Sequence, residues 1–189
     1  PAEVAENWLN LFYETVDHTK YFLSYDASIQ KLSVFTVRNG VITYLDMPAE
    51  VGYWFLSGVC EDHEHSLWIP SQFGLWQIRS NGEVKHFDEQ NGLPIENVFW
   101  VTEDDEHNIW LATRGLGLIK FLGEKFVSFN EKDGLTSSKV YFNFKDSYDN
   151  IWFSTQTDQV CKFNGSEIQY IDVPEDWETL GFFETNEHQ

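Results

Sequence analysis

Positive charge is scarce in this chain: 12 Lys and Arg stand against 31 Asp and Glu, a formal charge of −19. A surface that negative repels phosphate backbones and anionic lipid faces, which argues against nucleic acid or a membrane surface as a partner. Cysteine is also scarce. Cys60 and Cys161 lie far apart without CxxC spacing. They make no metal motif and read as small buried hydrophobes. No apolar run approaches the roughly 18 residues that cross a bilayer, and no signal peptide is visible. Any contact with a membrane is therefore expected only through missing parts of a parent chain. The first residue is Pro1 rather than Met, so a piece of a longer chain is expected. A glycine-rich phosphate loop, a G-x-S-x-G elbow and an EF-hand loop are all missing, and no cofactor is expected.

Aromatic residues are plentiful instead, at 17%, with 8 Trp, 8 Tyr and 16 Phe against a single Met. That balance favours pleated surfaces over helices. The aromatics are also ordered. Trp68, Trp110 and Trp152 stand 42 residues apart, within "HSLWIPS", "HNIWLAT" and "DNIWFST". Before each Trp runs an acidic turn, "EDHEHSL", "EDDEHNI" or "KDSYDNI". After each come a polar break, a short strand ("LWQI", "LIKF", "VCKF"), a tight turn and a last strand ("VKHF", "FVSF", "IQYI"). Asn81-Gly82 and Asn164-Gly165 in these turns supply the positive φ that a two-residue hairpin needs.

A weaker copy precedes them, with Tyr21 in the place of the tryptophan and a longer hairpin, "SVFTVRNG", before Ile42. Its opening strand is read in "NWLNLFYE". Four antiparallel strands per unit of about 42 residues are the signature of a β-propeller blade. A β-sandwich has evenly spaced strands too, but no reason to repeat its sequence. The reading is all-β: propeller blades at about residues 5–46, 53–88, 96–130 and 138–172, with 177–189 opening a fifth. Four blades and one leading strand make a partial, open propeller whose exposed edges invite self-association. Tyr21, Trp68, Trp110 and Trp152 are the repeat's structural residues. In mid-strand, an indole that buries on the order of 200 Å² fits packing between blades better than stacking on a sugar.

The acidic turn, the Asn-Ile-Trp or Leu-Trp step, a Thr or Ser, "GL", and "NGLP" or "DGLT" after the fourth strand together resemble the two-component regulator propeller repeat. The resemblance is good over residues 54–171 and weaker over 1–46. Against that family the usual turn glycine is replaced by Glu64, Glu106 and Tyr148, Pro70 stands at a usual Gly or Ala, and the fourth unit lacks "NGL". WD-repeat dipeptides are absent. The resemblance implies a periplasmic or extracellular sensor region of a bacterial hybrid histidine kinase, non-catalytic itself, which binds a ligand such as a glycan fragment or supports a neighbouring domain. A propeller enzyme or secreted binding module acting on a polysaccharide is the alternative, because sequence does not give the separation of paired carboxylates.

Loops between the second and third strands, and between the fourth strand and the next blade, emerge on one face, where function collects on a rigid scaffold. That selects Gln72, Phe73, Arg114, Gln156 and Asp158 on the first set, and Asn91, Asn97 and Asp133 on the second. Arg114, one of few cations and flanked by glycine, leads them. His63, His65 and His107 invite a zinc reading with Glu61 and Asp62. Since His65 and His107 align with Asp149, they read as turn residues, and no metal site is expected.

Overall fold

The computed structural model describes residues 8–26, 31–45, 58–94, 97–123, 125–157 and 159–172. Among the described residues, sixteen strands form four sheets of four, each a sequential antiparallel meander. The first sheet holds β1 (Trp8–Glu14), β2 (Lys20–Asp26), β3 (Lys31–Arg38) and β4 (Val41–Leu45). The second holds β5 (Cys60–Glu61), β6 (Leu67–Ser71), β7 (Gly74–Ile78) and β8 (Val84–Phe87). The third holds β9 (Val98–Glu103), β10 (Ile109–Thr113), β11 (Leu118–Phe121) and β12 (Phe126–Phe129). The fourth holds β13 (Val140–Lys145), β14 (Ile151–Thr155), β15 (Gln159–Phe163) and β16 (Ile168–Asp172). First strands meet across sheets, β9 packing against both β5 and β13, as blades around an axis require. The expected opening of a fifth blade, residues 177–189, lies outside the described residues.

Side-chain alternation explains how one strand serves two neighbours. In β6 and β10 every residue is buried. Successive residues point to opposite faces, and here both faces are covered. Leu67 and Ile69 pack toward the first sheet with Tyr21, Leu23, Val34, Trp76 and Ile78, while Trp68 between them turns toward the third. In β10, Ile109 and Leu111 join Trp68, Phe87 and Phe121, whereas Trp110 joins Phe153, Cys161 and Phe163 of the fourth sheet. The core is thus three layers between four blades among the described residues. Tyr21, Trp68 and Trp110 each fill one layer, and Trp152, half-buried, holds the equivalent place on the fourth sheet. Cys60 and Cys161 are free, and burial pushes both thiols up to about 12.

Each tryptophan is aimed by a carboxylate six residues before it. Asp62, Asp104 and Asp146 accept the indole N–H of Trp68, Trp110 and Trp152 at 2.7, 2.8 and 2.7 Å. The other oxygen of each carboxylate closes the hairpin. In the third sheet it accepts the backbone N–H of Glu106 at 3.1 Å and of Asn108 at 2.8 Å. The first sheet runs the same turn without a carboxylate at that position: the Thr15 hydroxyl accepts the Thr19 N–H at 3.0 Å, beneath Tyr21. The turn also needs one residue in the left-handed region, and His18, His65, His107 and Asp149 take it with φ between 61° and 67°. That slot falls one position after Glu64, Glu106 and Tyr148, where the turn glycine of the resembled family was expected. The turn pins the left-handed backbone to the residue three before the tryptophan.

The "GL" and "NGL" steps have separate reasons. A Cβ on Gly74 or Gly117 would fall on the carbonyl oxygen of Phe87 or Phe129, at the end of the fourth strand in the same sheet. Beyond those strands, Asp88 and Asn130 cap short 3-10 turns at Glu89–Asn91 and Glu131–Asp133, and Gly92 and Gly134 end them at φ 104°. Leu93 and Leu135 then drop into the inter-blade layers.

Two outcomes are expected. Gly117→Ala should lower unfolding free energy by well over the roughly 1–2 kcal/mol that a left-handed Ala costs by itself, whereas Gly82→Ala, with open space around it, should cost only that strain. Equal losses in urea titrations would contradict the close approach at Phe129. Burial by itself raises the Asp104 carboxyl, but hydrogen bonds from Trp110, Asn108 and Lys120 outweigh it and hold the group below the ordinary range. Its stabilisation is therefore present above the unfolded-state value near 3.9 and is lost as pH falls through the lower folded value. Asp104→Asn should cost about 1–3 kcal/mol at neutral pH and show a shallower loss of urea midpoint below about pH 4. An unchanged acid slope would sink this assignment.

Candidate ligand face

The two ends of the blades differ. At one end lie the hairpins that join first to second strands. At the other lie the loops joining second to third strands and fourth strands to the next blade, where the sequence places its candidates.

Backbone contacts gather four residues at that loop end. The Arg114 N–H donates to the Asn97 carbonyl at 3.2 Å, and Arg114 forms an isolated antiparallel bridge with Lys139. The Gln156 N–H donates to the Lys139 carbonyl at 3.0 Å. Asn97, Arg114, Lys139 and Gln156 therefore form a continuous strip from the third blade to the fourth. Around Arg114 the loop is rigid: Gly115 and Gly117 both donate to the Ser138 carbonyl, and the Thr113 hydroxyl donates to the Gly117 carbonyl at 2.8 Å. Arg114 is exposed and makes no ion pair among the described residues, although acids outnumber bases more than twofold.

Other candidates are occupied by the loop itself. Asn91 accepts the Asp88 N–H through its side-chain oxygen at 2.9 Å and donates to the His86 carbonyl at 2.8 Å. Asp133 accepts the Asn130 N–H at 3.0 Å. Phe73 is exposed, and its carbonyl lies 2.7 Å from His86 Nε2. Gln72 is half-buried beside it. Phe73 and Asn91 thus meet through His86, apart from the Arg114 strip. Asp158 lies outside the described residues.

At the hairpin end the sequence grouped His63, His65 and His107 with Glu61 and Asp62, but not with Glu103. His63 does not join His65 and Glu61: it reaches across to the third blade. Glu103 Oε1 lies 2.5 Å from His63 Nδ1 and 3.5 Å from His107 Nδ1, and the two imidazoles stack at 3.7 Å between centroids. The hydrogen bond to Glu103 raises the His63 pKa. His65 instead pairs with Glu61 in its own hairpin at 2.8 Å. The available signal was the repeat: the residue after each turn Asp sits beside the residue before the next one, as with His63 and Glu103 or Asp105 and Lys145.

Between the third and fourth blades, on the outer side, a groove of about 520 Å³ is floored by Trp110, Phe129 and Phe163 and edged by Asp104, Glu106 and Glu167. Trp110 is 2% exposed, with its N–H on Asp104 and Lys120 Nζ 5.0 Å over its ring. It offers no face on which a sugar could stack.

The model of the two component regulator propeller family matches residues 92–115. Among solved structures, a catalytically inactive virginiamycin B lyase from Staphylococcus aureus with quinupristin is similar at 14% identity and a TM-score of 0.68, over 90% of this chain and 61% of the lyase. The extracellular domain of a putative hybrid two component system from B. thetaiotaomicron is similar at 19% identity and a TM-score of 0.64, over 85% of this chain and 22% of that one. PorZ, a surface component of the type-IX secretion system of Porphyromonas gingivalis, is similar at 14% identity and a TM-score of 0.58, over 86% and 26% of the two chains. No curated protein matches the sequence. This chain thus spans 61%, 22% and 26% of these three structures, and what it shares with them is the β-propeller fold. No helix among the described residues is long and apolar enough to cross a membrane.

Asn91→Ala should cost about 1 kcal/mol, the usual worth of a cap, and should speed amide exchange across residues 88–93. Arg114→Ala should change stability by less than about 0.5 kcal/mol. A larger loss from Arg114→Ala in urea would reassign that residue from the open face to the scaffold.

Proposed function

We propose that this chain is part of the sensory, ligand-recognising region of a bacterial two-component signalling receptor, lying outside the cytoplasmic membrane and non-catalytic itself. The observation that carries this reading is the regulator-propeller match at residues 92–115. That segment runs from the glycine ending the first 3-10 turn to the glycine after Arg114, so it spans both loops that frame the Asn97–Arg114 contact. Likeness of fold to the extracellular domain of a hybrid two component system agrees with it.

The chemistry of the loop end agrees as well. A cation without an ion pair among the described residues, on glycine-braced backbone and next to Asn97 and Gln156 in the strip, is arranged to meet an acceptor from outside. Arg114 presents a planar fork of donors that suits carboxylates and hydroxyl-rich ligands. Asn97 and Gln156 add donors and acceptors of the kind that fix a glycan. Recognition here shifts no proton and makes no bond; its free energy would be read by the rest of the receptor. The polysaccharide-acting enzyme is the competing reading.

Both are tested by one titration series. The purified chain is titrated calorimetrically with neutral and uronate-containing oligosaccharides, and the mixtures are analysed by chromatography after prolonged incubation. Saturable binding that weakens by more than about tenfold, or roughly 1.4 kcal/mol, in Arg114→Ala, with oligosaccharides recovered intact, is the expected result. Shortened products would transfer the chain to the enzyme reading. Binding that is untouched in Arg114→Ala would remove the loop end from recognition.

A further inference from the structure

We propose that His63, Glu103 and His107 form a divalent transition-metal site, with Zn²⁺ as its natural occupant, that staples the hairpins of the second and third blades. The site lies at the hairpin end of the blades, away from the Arg114 strip, and does not depend on the receptor reading.

The three side chains come from two sheets. His63 is the first turn residue after β5, Glu103 ends β9, and His107 is the left-handed residue of the β9–β10 turn. One ligand atom from each lies within 4.8 Å of the others. Both imidazoles present Nδ1 to the same carboxylate oxygen, at 2.5 and 3.5 Å. The second oxygen is fixed by the His63 backbone N–H at 2.9 Å. A zinc ion holds imidazole nitrogen and carboxylate oxygen at about 2.0–2.2 Å, which sets donors on a tetrahedral ion about 3.3 Å apart. The Glu103–His107 spacing already suits this. The Glu103–His63 spacing must open by under about 1 Å, within reach of exposed side chains.

The arrangement is awkward without a cation. Two stacked imidazoles compete for one carboxylate oxygen, and protonating both would set two positive charges face to face. A divalent ion satisfies both nitrogens at once and needs them neutral. His63 and His107 are 43% and 55% exposed and Glu103 is 15% exposed, which leaves an open side for water as a fourth ligand. Adjacent Asp62, Glu64, Asp104 and Glu106 add negative potential that draws a cation. Two imidazoles with one carboxylate select a borderline ion such as Zn²⁺ over Ca²⁺ or Mg²⁺, which prefer oxygen.

Comparison across the repeat gives an internal control. The positions of His63, Glu103 and His107 are filled by Val16, Glu61 and His65 between the first two blades. They are filled by Asp105, Lys145 and Asp149 between the last two. The fold therefore needs some contact at this rim, yet only here does it bring two imidazoles to one carboxylate among the described residues. The ligand set is a property of these side chains and not of the blade.

The probe is the metal ion alone. Chelator-stripped protein is titrated with ZnCl₂ by calorimetry and with Co²⁺ by visible absorption, and melting is followed with and without Zn²⁺. One Zn²⁺ per chain, a zinc-dependent rise in melting temperature and the intense visible band of four-coordinate Co²⁺ are expected. His63→Ala, His107→Ala and Glu103→Gln should each weaken zinc binding by at least about tenfold, while His65→Ala should leave it unchanged. Circular dichroism verifies that each variant keeps the strand signature. No saturable zinc binding, or binding equally strong in the His63→Ala/His107→Ala double variant, would reduce the cluster to a hydrogen-bonded contact.

Discussion

The bond from an indole N–H to a carboxylate six residues upstream is the interaction on which the rest of the architecture depends. An indole filling the space between two sheets still carries a polar group that has to be satisfied, and leaving it unpaired would cost about 1–3 kcal/mol. Asp62, Asp104 and Asp146 satisfy it and use their remaining lone pairs to close the hairpin on which they sit. The turn and the inter-blade packing are therefore one unit. Once the tryptophan's direction is set, strand alternation sends the residues on either side of it to the preceding blade. A single side-chain contact thus fixes which face of the second strand meets which neighbour. The first blade shows how far this can drift: Thr15 and Tyr21 keep the turn and the packing without that pair.

Around this constant frame the blade rims vary in charge as matched sets. The residue before the turn Asp and the left-handed residue after it are Glu61 with His65 and Glu103 with His107, then Lys145 with Asp149. In the fourth blade both members change sign. The partner from the preceding blade changes with them, so that Glu103 meets His63 and Lys145 meets Asp105. Exposed pairs of this kind are worth only about 0–1 kcal/mol each, too little to decide the fold against apolar layers of this size. They decide local compatibility in a chain of charge −19, keeping acid from facing acid where blades meet.

The repeat was legible in the sequence because the fold is the repeat: Trp68, Trp110 and Trp152 stand at constant spacing since each does the same task at the same place in its sheet. The role of those residues as inter-blade packing was legible too, from their mid-strand position. Its partner was written in the sequence as plainly, as an Asp six residues before each Trp. Among so many acidic residues, however, a buried hydrogen-bonding carboxylate looks like any solvated one. Asn91 and Asp133 show a different limit. A polar residue on a loop reads as an offer to a ligand, and only geometry reveals that these two are spent on capping their own 3-10 turns. The His63–Glu103–His107 contact was illegible for a third reason. Glu103 and His107 share one hairpin, but His63 joins them from another blade and comes near only once the sheets are stacked.

These findings narrow what the loop end can recognise. Gly117 is held in close approach to the end of its fourth strand, and the leucines after the 3-10 turns are swallowed by the core. Among the described residues the strip carries Arg114, Asn97, Lys139 and Gln156, with the exposed Phe73 ring at a distance. On the proposed reading, such a strip would discriminate by shape and by charge-assisted contacts. Arg114 and Lys139 bring two cations to that strip of an acidic chain. On the proposed reading, an anionic group would be drawn to these two cations, while the field elsewhere would turn it away. On that reading, specificity on this scaffold would rest on the few side chains the blade does not need for itself.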